Sequence, residues 1–154
     1  ANHLVWAARF QADVARPDVR VLPGVTYTVY SQGIGTGLPD FTKLTPAASG
    51  TVDRVKLSDI DTSSGGNFGV VWEGQIEVGA TGGVSVATHS DDGSRVLIDG
   101  EAVVNANCTR DVKTLNLTPG RHALRVEYCQ GGGAFYHTLE LEGVLPPGQW
   151  ARIY

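Results

Sequence analysis

Phe68-Gly69-Val70-Val71-Trp72-Glu73-Gly74-Gln75-Ile76-Glu77-Val78 is the stretch that decides the fold class. Val70, Trp72, Ile76 and Val78 fall on one side of an extended chain, with Val71, Glu73, Gln75 and Glu77 on the other. Successive side chains of a strand point to opposite faces, so this alternation marks a strand with one buried face. The pattern recurs downstream. Val84 and Val86 alternate with Ser85 and Ala87, and Val96 and Ile98 with Arg95, Leu97 and Asp99. Leu124, Val126 and Tyr128 alternate with Ala123, Arg125 and Glu127, and Leu139 and Leu141 with Glu140 and Glu142. Upstream, Thr26-Tyr27-Thr28-Val29-Tyr30 is β-branched and aromatic, and residues 19–22 and 49–55 read as shorter strands. No segment keeps a helical apolar stripe over three turns. Short strands with turn signals every roughly 8–12 residues predict an all-β fold, an antiparallel two-sheet β-sandwich of jelly-roll type.

Composition narrows the function classes. The chain has 154 residues, 42% hydrophobic and 18% charged, which suits one domain with a core, and 20 glycines suit many tight turns. No linker or internal repeat divides it, so residues 1–154 are expected to form one domain and a monomeric module. The net charge is −4 and the 12 basic residues are dispersed, which argues against nucleic acid. No apolar run approaches the roughly 18 residues of a membrane span, and no signal peptide is visible. The lack of methionine suggests a piece excised from a larger secreted or surface protein. His3-Leu4-Val5-Trp6-Ala7-Ala8-Arg9-Phe10 suits a strand or a short helix equally, and the tail from Pro146 reads as peripheral.

Residues 115–124 read as a hairpin turning at Pro119-Gly120. Reflected through that turn, Cys129 lands near residue 110, close to Cys108. A Cys108–Cys129 disulfide is therefore expected, and with it an extracellular address; two buried free thiols are the alternative.

The chemistry concentrates in two loops. In Ser90-Asp91-Asp92-Gly93 two carboxylates are neighbours, yet a trans strand would turn them to opposite faces. A partner that needs both requires a bend between them, and a cis Asp91–Asp92 peptide is one such bend. In Cys129-Gln130-Gly131-Gly132-Gly133-Ala134 the glutamine offers an amide oxygen, and the glycines let successive carbonyls point one way. Calcium takes six to eight oxygen ligands, and oxygen donors without a His or Cys cluster favour it over zinc or copper. An aspartate turn and a glycine turn are the alternative. Other motifs fall away. Gly33-Ile34-Gly35-Thr36-Gly37 precedes no helix, so it is a flexible loop rather than a phosphate cradle. Asp59 and Asp61 open like a helix–loop–helix calcium loop, but Val70 stands where its closing glutamate belongs. Consecutive His89, Ser90 and Asp91 cannot form a nucleophile relay.

Several of these motifs, in this order, resemble the protective-antigen-like (PA-fourteen) domain family. They are Leu38-Pro39-Asp40-Phe41, Ser49-Gly50-Thr51-Val52, Val71-Trp72-Glu73-Gly74 after Phe68, and Ser90-Asp91-Asp92-Gly93-Ser94 with Ile98-Asp99-Gly100. Leu117-Thr118-Pro119-Gly120-Arg121-His122, Val126-Glu127-Tyr128, Gln130-Gly131-Gly132-Gly133 and Leu139-Glu140-Leu141-Glu142-Gly143 continue the match, which runs from about Pro23 to Gly143. The resemblance implies a β-sandwich. Its lectin members hold calcium with a cis Asp-Asp pair, and sugar hydroxyls complete the coordination. Carried over, it implies calcium on Asp91, Asp92, Gln130, Gly131, Gly132, Gly133 and Ala134. Carbohydrate would meet Asp91, Asp92 and Gln130, with Tyr136, His137 and Asn105 beside them. The expected function is a calcium-dependent carbohydrate-binding module of a cell-surface adhesin, without catalysis; a non-lectin structural or protein-interaction module is the alternative.

Overall fold

In the computed structural model, residues 19–62, 66–79 and 82–144 are described. The expectations for residues 3–10 and for the tail from Pro146 lie outside the described residues. Strands β1 (Val19–Val21), β2 (Val25–Tyr30), β3 (Ala48–Val52), β4 (Phe68–Val78) and β5 (Gly82–Asp91) make the first half. Strands β6 (Gly93–Ile98), β7 (Glu101–Asn107), β8 (Arg110–Leu117), β9 (Gly120–Gln130) and β10 (Tyr136–Val144) make the second. Single 3-10 turns occur at Phe41–Lys43 and Leu57–Asp59. The larger sheet has the order β3-β2-β4-β9-β6-β7, with β1 also on β4, and the smaller is β10-β5-β8. Every pairing is antiparallel, as the alternation predicts. Trp72, Ile76, Val84, Val86, Val96, Val126 and Tyr128 meet between the sheets, each fully buried.

The central pair is β4 on β9, in register from Phe68 opposite Gln130 to Val78 opposite Gly120. Its outward face departs from simple alternation. Val71 and Cys129 point away from the core yet are buried, because the segment between β2 and β3 lays Ile34 and Phe41 over them. Gly69 permits that approach: a Cβ there would stand 2.7 Å from the Phe41 ring and 3.2 Å from the Tyr128 carbonyl.

Two expectations need correction. Residues 115–124 are not a hairpin, since β8 pairs with β5 in the smaller sheet whereas β9 pairs with β4 and β6 in the larger. The chain therefore arches from one sheet to the other at Pro119. The Cys108–Cys129 disulfide fails with it: both thiols are free. Cys129 lies opposite Gly93, whose other neighbour is Asn107, so strand β6 runs between the two cysteines. Their surroundings also differ, because Cys129 is fully buried with its thiol toward the Thr36 carbonyl at 3.7 Å, whereas Cys108 is exposed. Asn105 and Asn107 belong to β7. At the turn between β6 and β7, Asp99 and Gly100 both have positive φ, 53° and 83°, which matches the twist of the flanking strands.

A thiol-reactive chromophore is accordingly expected to titrate one cysteine, Cys108, in the native protein and two after unfolding without reductant. An intact mass lower by two hydrogens would contradict this.

Candidate functional site

The two loops singled out in the sequence are both crossings between sheets. Asp91 ends β5 in the smaller sheet and Gly93 opens β6 in the larger, so the chain changes sheet at Asp92. Likewise β9 ends at Gln130 in the larger sheet, and residues 131–135 carry the chain to β10 in the smaller. Tyr136 pairs with Asp91 and Cys129 with Gly93, which places the crossings side by side at one end of the sandwich.

Asp92 clamps them together. The Asp91–Asp92 peptide is cis. The Asp92 amide donates to the Cys129 carbonyl at 3.2 Å, and its carboxylate accepts from the Gly131 amide at 2.7 Å. Its carbonyl accepts from the Cys108 amide at 3.0 Å and from Ser90 Oγ at 3.0 Å. The Tyr128 hydroxyl donates to the Asp91 carbonyl. Desolvation, followed by the Asp91 and Asp92 charges, pushes that phenol well above its usual range, so it stays a donor. Gly131 must be glycine, since a Cβ would lie 2.7 Å from backbone atoms of Gly35 and Thr36. The glycine-rich 33–37 segment thus backs the second crossing.

Beneath the corner runs a buried chain of hydroxyls. Ser90 Oγ lies 2.7 Å from Ser94 Oγ, which lies 2.9 Å from Thr88 Oγ1, which lies 3.2 Å from His137 Nε2. One proton per hydroxyl fixes the direction. Ser90 gives its proton to the Asp92 carbonyl, so Ser94 donates to Ser90, and the one Thr88 proton is shared between Ser94 Oγ and the Thr138 carbonyl at 3.3 Å. His137 then donates from Nε2, leaving Nδ1 as a bare acceptor, and the buried Nδ1 indeed has no partner. The ring stacks on Trp72 at 5.3 Å and tilts against Tyr128 at 5.4 Å. Burial lowers its pKa to about 4, so it is neutral at ordinary pH.

The expected site residues therefore separate. Asp91, Asp92, Gln130 and Gly131 converge on the corner, and Gly132, Gly133 and Ala134 form its exposed rim. Gln130 is 2% exposed; its Nε2 donates to the Gly133 carbonyl at 2.8 Å, and its Oε1 has no partner. Tyr136, 41% exposed, stands opposite Asp91 with its hydroxyl on His89 Nε2. Phe135 beside it is also exposed, edge-on to Phe68 at 5.2 Å. His137 is a correction: only 7% exposed, it turns its ring into the core against Trp72 rather than outward beside Asp91. Asn105 lies two residues back along β7 from Asn107, the residue paired with Gly93.

A residue not expected at the corner completes it. The thiol of Cys108 is 3.6 Å from an oxygen of Asp91 and 3.6 Å from an oxygen of Asp92, and the three ligand atoms lie within 4.8 Å of one another. The sequence points only to its neighbour. Reflecting Asp92 through the Asp99-Gly100 turn lands on Asn107, and the irregularity between Val96 and Leu97 adds the residue that brings it to Cys108. Desolvation and the neighbouring Asp91 and Asp92 push this thiol's pKa up, which keeps it protonated. Among the described residues no Lys or Arg pairs with Asp91 or Asp92. Two adjoining carboxylates with no Lys or Arg partner among the described residues suit a divalent cation.

The chain belongs to the PA14 domain family, whose model matches residues 22–146. No curated protein sequence matches it significantly. Among solved structures it is similar to the PA14 domain of the antifreeze protein MpAFP, at 16% identity and a TM-score of 0.64, covering 86% of this chain and 91% of that one. It is also similar to the Epithelial Adhesin 6 A domain from Candida glabrata, solved in complex with Galb1-3GlcNAc, at 13% identity and a TM-score of 0.62, covering 84% and 83%. The β-glucosidase from Kluyveromyces marxianus, in complex with glucose, matches at 20% identity and a TM-score of 0.60 over 84% of this chain. The chain spans only 17% of that enzyme's length.

The His137 arrangement has a pH consequence. Unfolded, this histidine protonates near 6.5, but folded only near 4, so the unfolded state binds the extra proton between those values. Stability should therefore fall as pH drops from about 6.5 to about 4, by on the order of 3 kcal/mol. Urea unfolding across that range should show the slope, and His137→Gln should flatten it. An equal slope in the variant would contradict the assignment.

Proposed function

We propose that this domain is a calcium-dependent carbohydrate-binding module of a secreted or cell-surface protein, of adhesin type. The observation that carries the reading is the adjoining pair Asp91 and Asp92, tied to the glycine loop by the bond from the Gly131 amide to Asp92, with the buried Gln130 Oε1 of that loop left unpartnered. Membership of the PA14 family and likeness to an adhesin domain solved with a disaccharide support it.

Asp91, Asp92 and Gln130 Oε1 would hold the ion, with carbonyl oxygens from Gly131, Gly132, Gly133 and Ala134. Calcium bound there supplies positive charge and open coordination positions that neighbouring sugar hydroxyls can fill. The chain's own part is orientation. The Asp92 clamp fixes the spacing of the two crossings, and the Tyr136 ring beside Asp91 offers a face on which a sugar's C–H surface can pack. Recognition on this reading is an equilibrium without bond breaking. Acid–base glycoside hydrolysis would need carboxyl groups roughly 5–9.5 Å apart, whereas here both serve one ion.

Calorimetry and thermal unfolding with calcium test the proposal. A ligand bound only by the folded state adds about 2.7 kcal/mol at a hundredfold excess over its dissociation constant. The wild type should show such stabilisation and Asp92→Asn should lose it. Glycan binding should vanish with chelator, and Tyr136→Ala should weaken it about tenfold while leaving calcium binding in place. Absence of calcium binding at millimolar concentration would sink the reading and favour a structural module.

A further inference from the structure

We propose that the same corner takes a thiophilic divalent cation of the zinc class, with Cys108 as its sulfur ligand, and that this cation competes with calcium. The inference shares Asp91, Asp92 and Gln130 with the proposed calcium site and rests on that reading only for them. Zinc binds carboxylate oxygen at about 2.0 Å and thiolate sulfur at about 2.3 Å, in tetrahedral sites. Those lengths put sulfur and oxygen about 3.5 Å apart along a tetrahedron edge. Cys108 Sγ stands 3.6 Å from an oxygen of each aspartate, so both sulfur–oxygen edges already have nearly that length, and the three donors lie within 4.8 Å of one another.

The thiol is held in that position by its backbone. Cys108 follows β7 with φ of 55°, and its amide is bonded to the carbonyl of Asp92, the residue whose carboxylate it faces. Gln130 on the second crossing is the candidate for a fourth donor. Gln130 lies between Cys129 and Gly131, the two residues whose backbones Asp92 binds. It shares a face of β9 with Tyr128, whose hydroxyl reaches the Asp91 carbonyl, and its buried Oε1 has no partner. Sulfur is a soft ligand that calcium does not favour and zinc does, so Cys108 gives this corner a second ion preference. Coordination replaces the S–H bond by a metal–sulfur bond and releases one proton to solvent, with no change of oxidation state. A four-coordinate ion enclosed by protein donors has no positions left for sugar hydroxyls, so zinc should act as an inhibitor of the lectin site.

Cadmium is the probe, because its bond to thiolate absorbs in the ultraviolet and reports sulfur ligation directly. The wild type should develop that band at one cadmium per chain and lose it when zinc is added. Cys108→Ser should show no band and bind zinc at least tenfold more weakly. Asp92→Asn should keep Cys108 but need at least tenfold more cadmium for the same band. A band that survives in Cys108→Ser, an unchanged cadmium affinity in Asp92→Asn, or no band in the wild type would overturn the proposal. Calcium-induced stabilisation of the wild type is the separate readout for the lectin reading. Its absence beside an intact cadmium band would remove that reading and leave the zinc site standing.

Discussion

The structure at the functional end depends on the two-sided grip of Asp92 on strand β9. Its amide reaches one residue before Gln130 and its carboxylate one residue after, at Cys129 and Gly131. A β-sandwich must send its chain from sheet to sheet somewhere, and here two such crossings lie against each other with one residue bonded to both. A buried carboxylate paired only with neutral donors is costly unless its charge is answered. That cost is why the corner reads as a cation site rather than as a simple turn.

What supports the corner is polar. The hydroxyl chain from His137 through Thr88, Ser94 and Ser90 ends on the Asp92 carbonyl, and within it His137 Nδ1 is buried without a partner. Hydrogen bonds of this kind hold side chains in one geometry. The neutral, stacked His137 anchors the inner end against Trp72, in the middle of the core. Site geometry and core packing are therefore mechanically continuous, and the exposed rings of Phe135 and Tyr136 stand just outside that anchor.

Much of this was legible in the sequence, and the reasons differ by element. Period-two alternation in residues such as Val70, Trp72, Val126 and Tyr128 fixes which faces are buried, and the sandwich follows. Asp91-Asp92 and the glycine loop are legible because a trans strand cannot turn both carboxylates to one partner and successive glycines free the backbone to bend. Pairing of strands across sheets is another matter. Local pattern marks a turn at Pro119-Gly120 but cannot tell a hairpin from an arch between sheets, and the disulfide expectation failed on that ambiguity. His137 was misjudged because strand parity at the start of β10 depends on its register with β5, where it faces Ser90. Cys108 is not legible at the corner because an extra residue in β7, Val103, moves it opposite Asp92.

The most direct test of the account is a crystal structure of the domain grown with calcium. The account predicts one ion at the corner, about 2.3–2.6 Å from oxygens of Asp91, Asp92 and Gln130 Oε1. An empty corner, or an ion that leaves Gln130 Oε1 uncoordinated and draws on only one of the two aspartates, would contradict it.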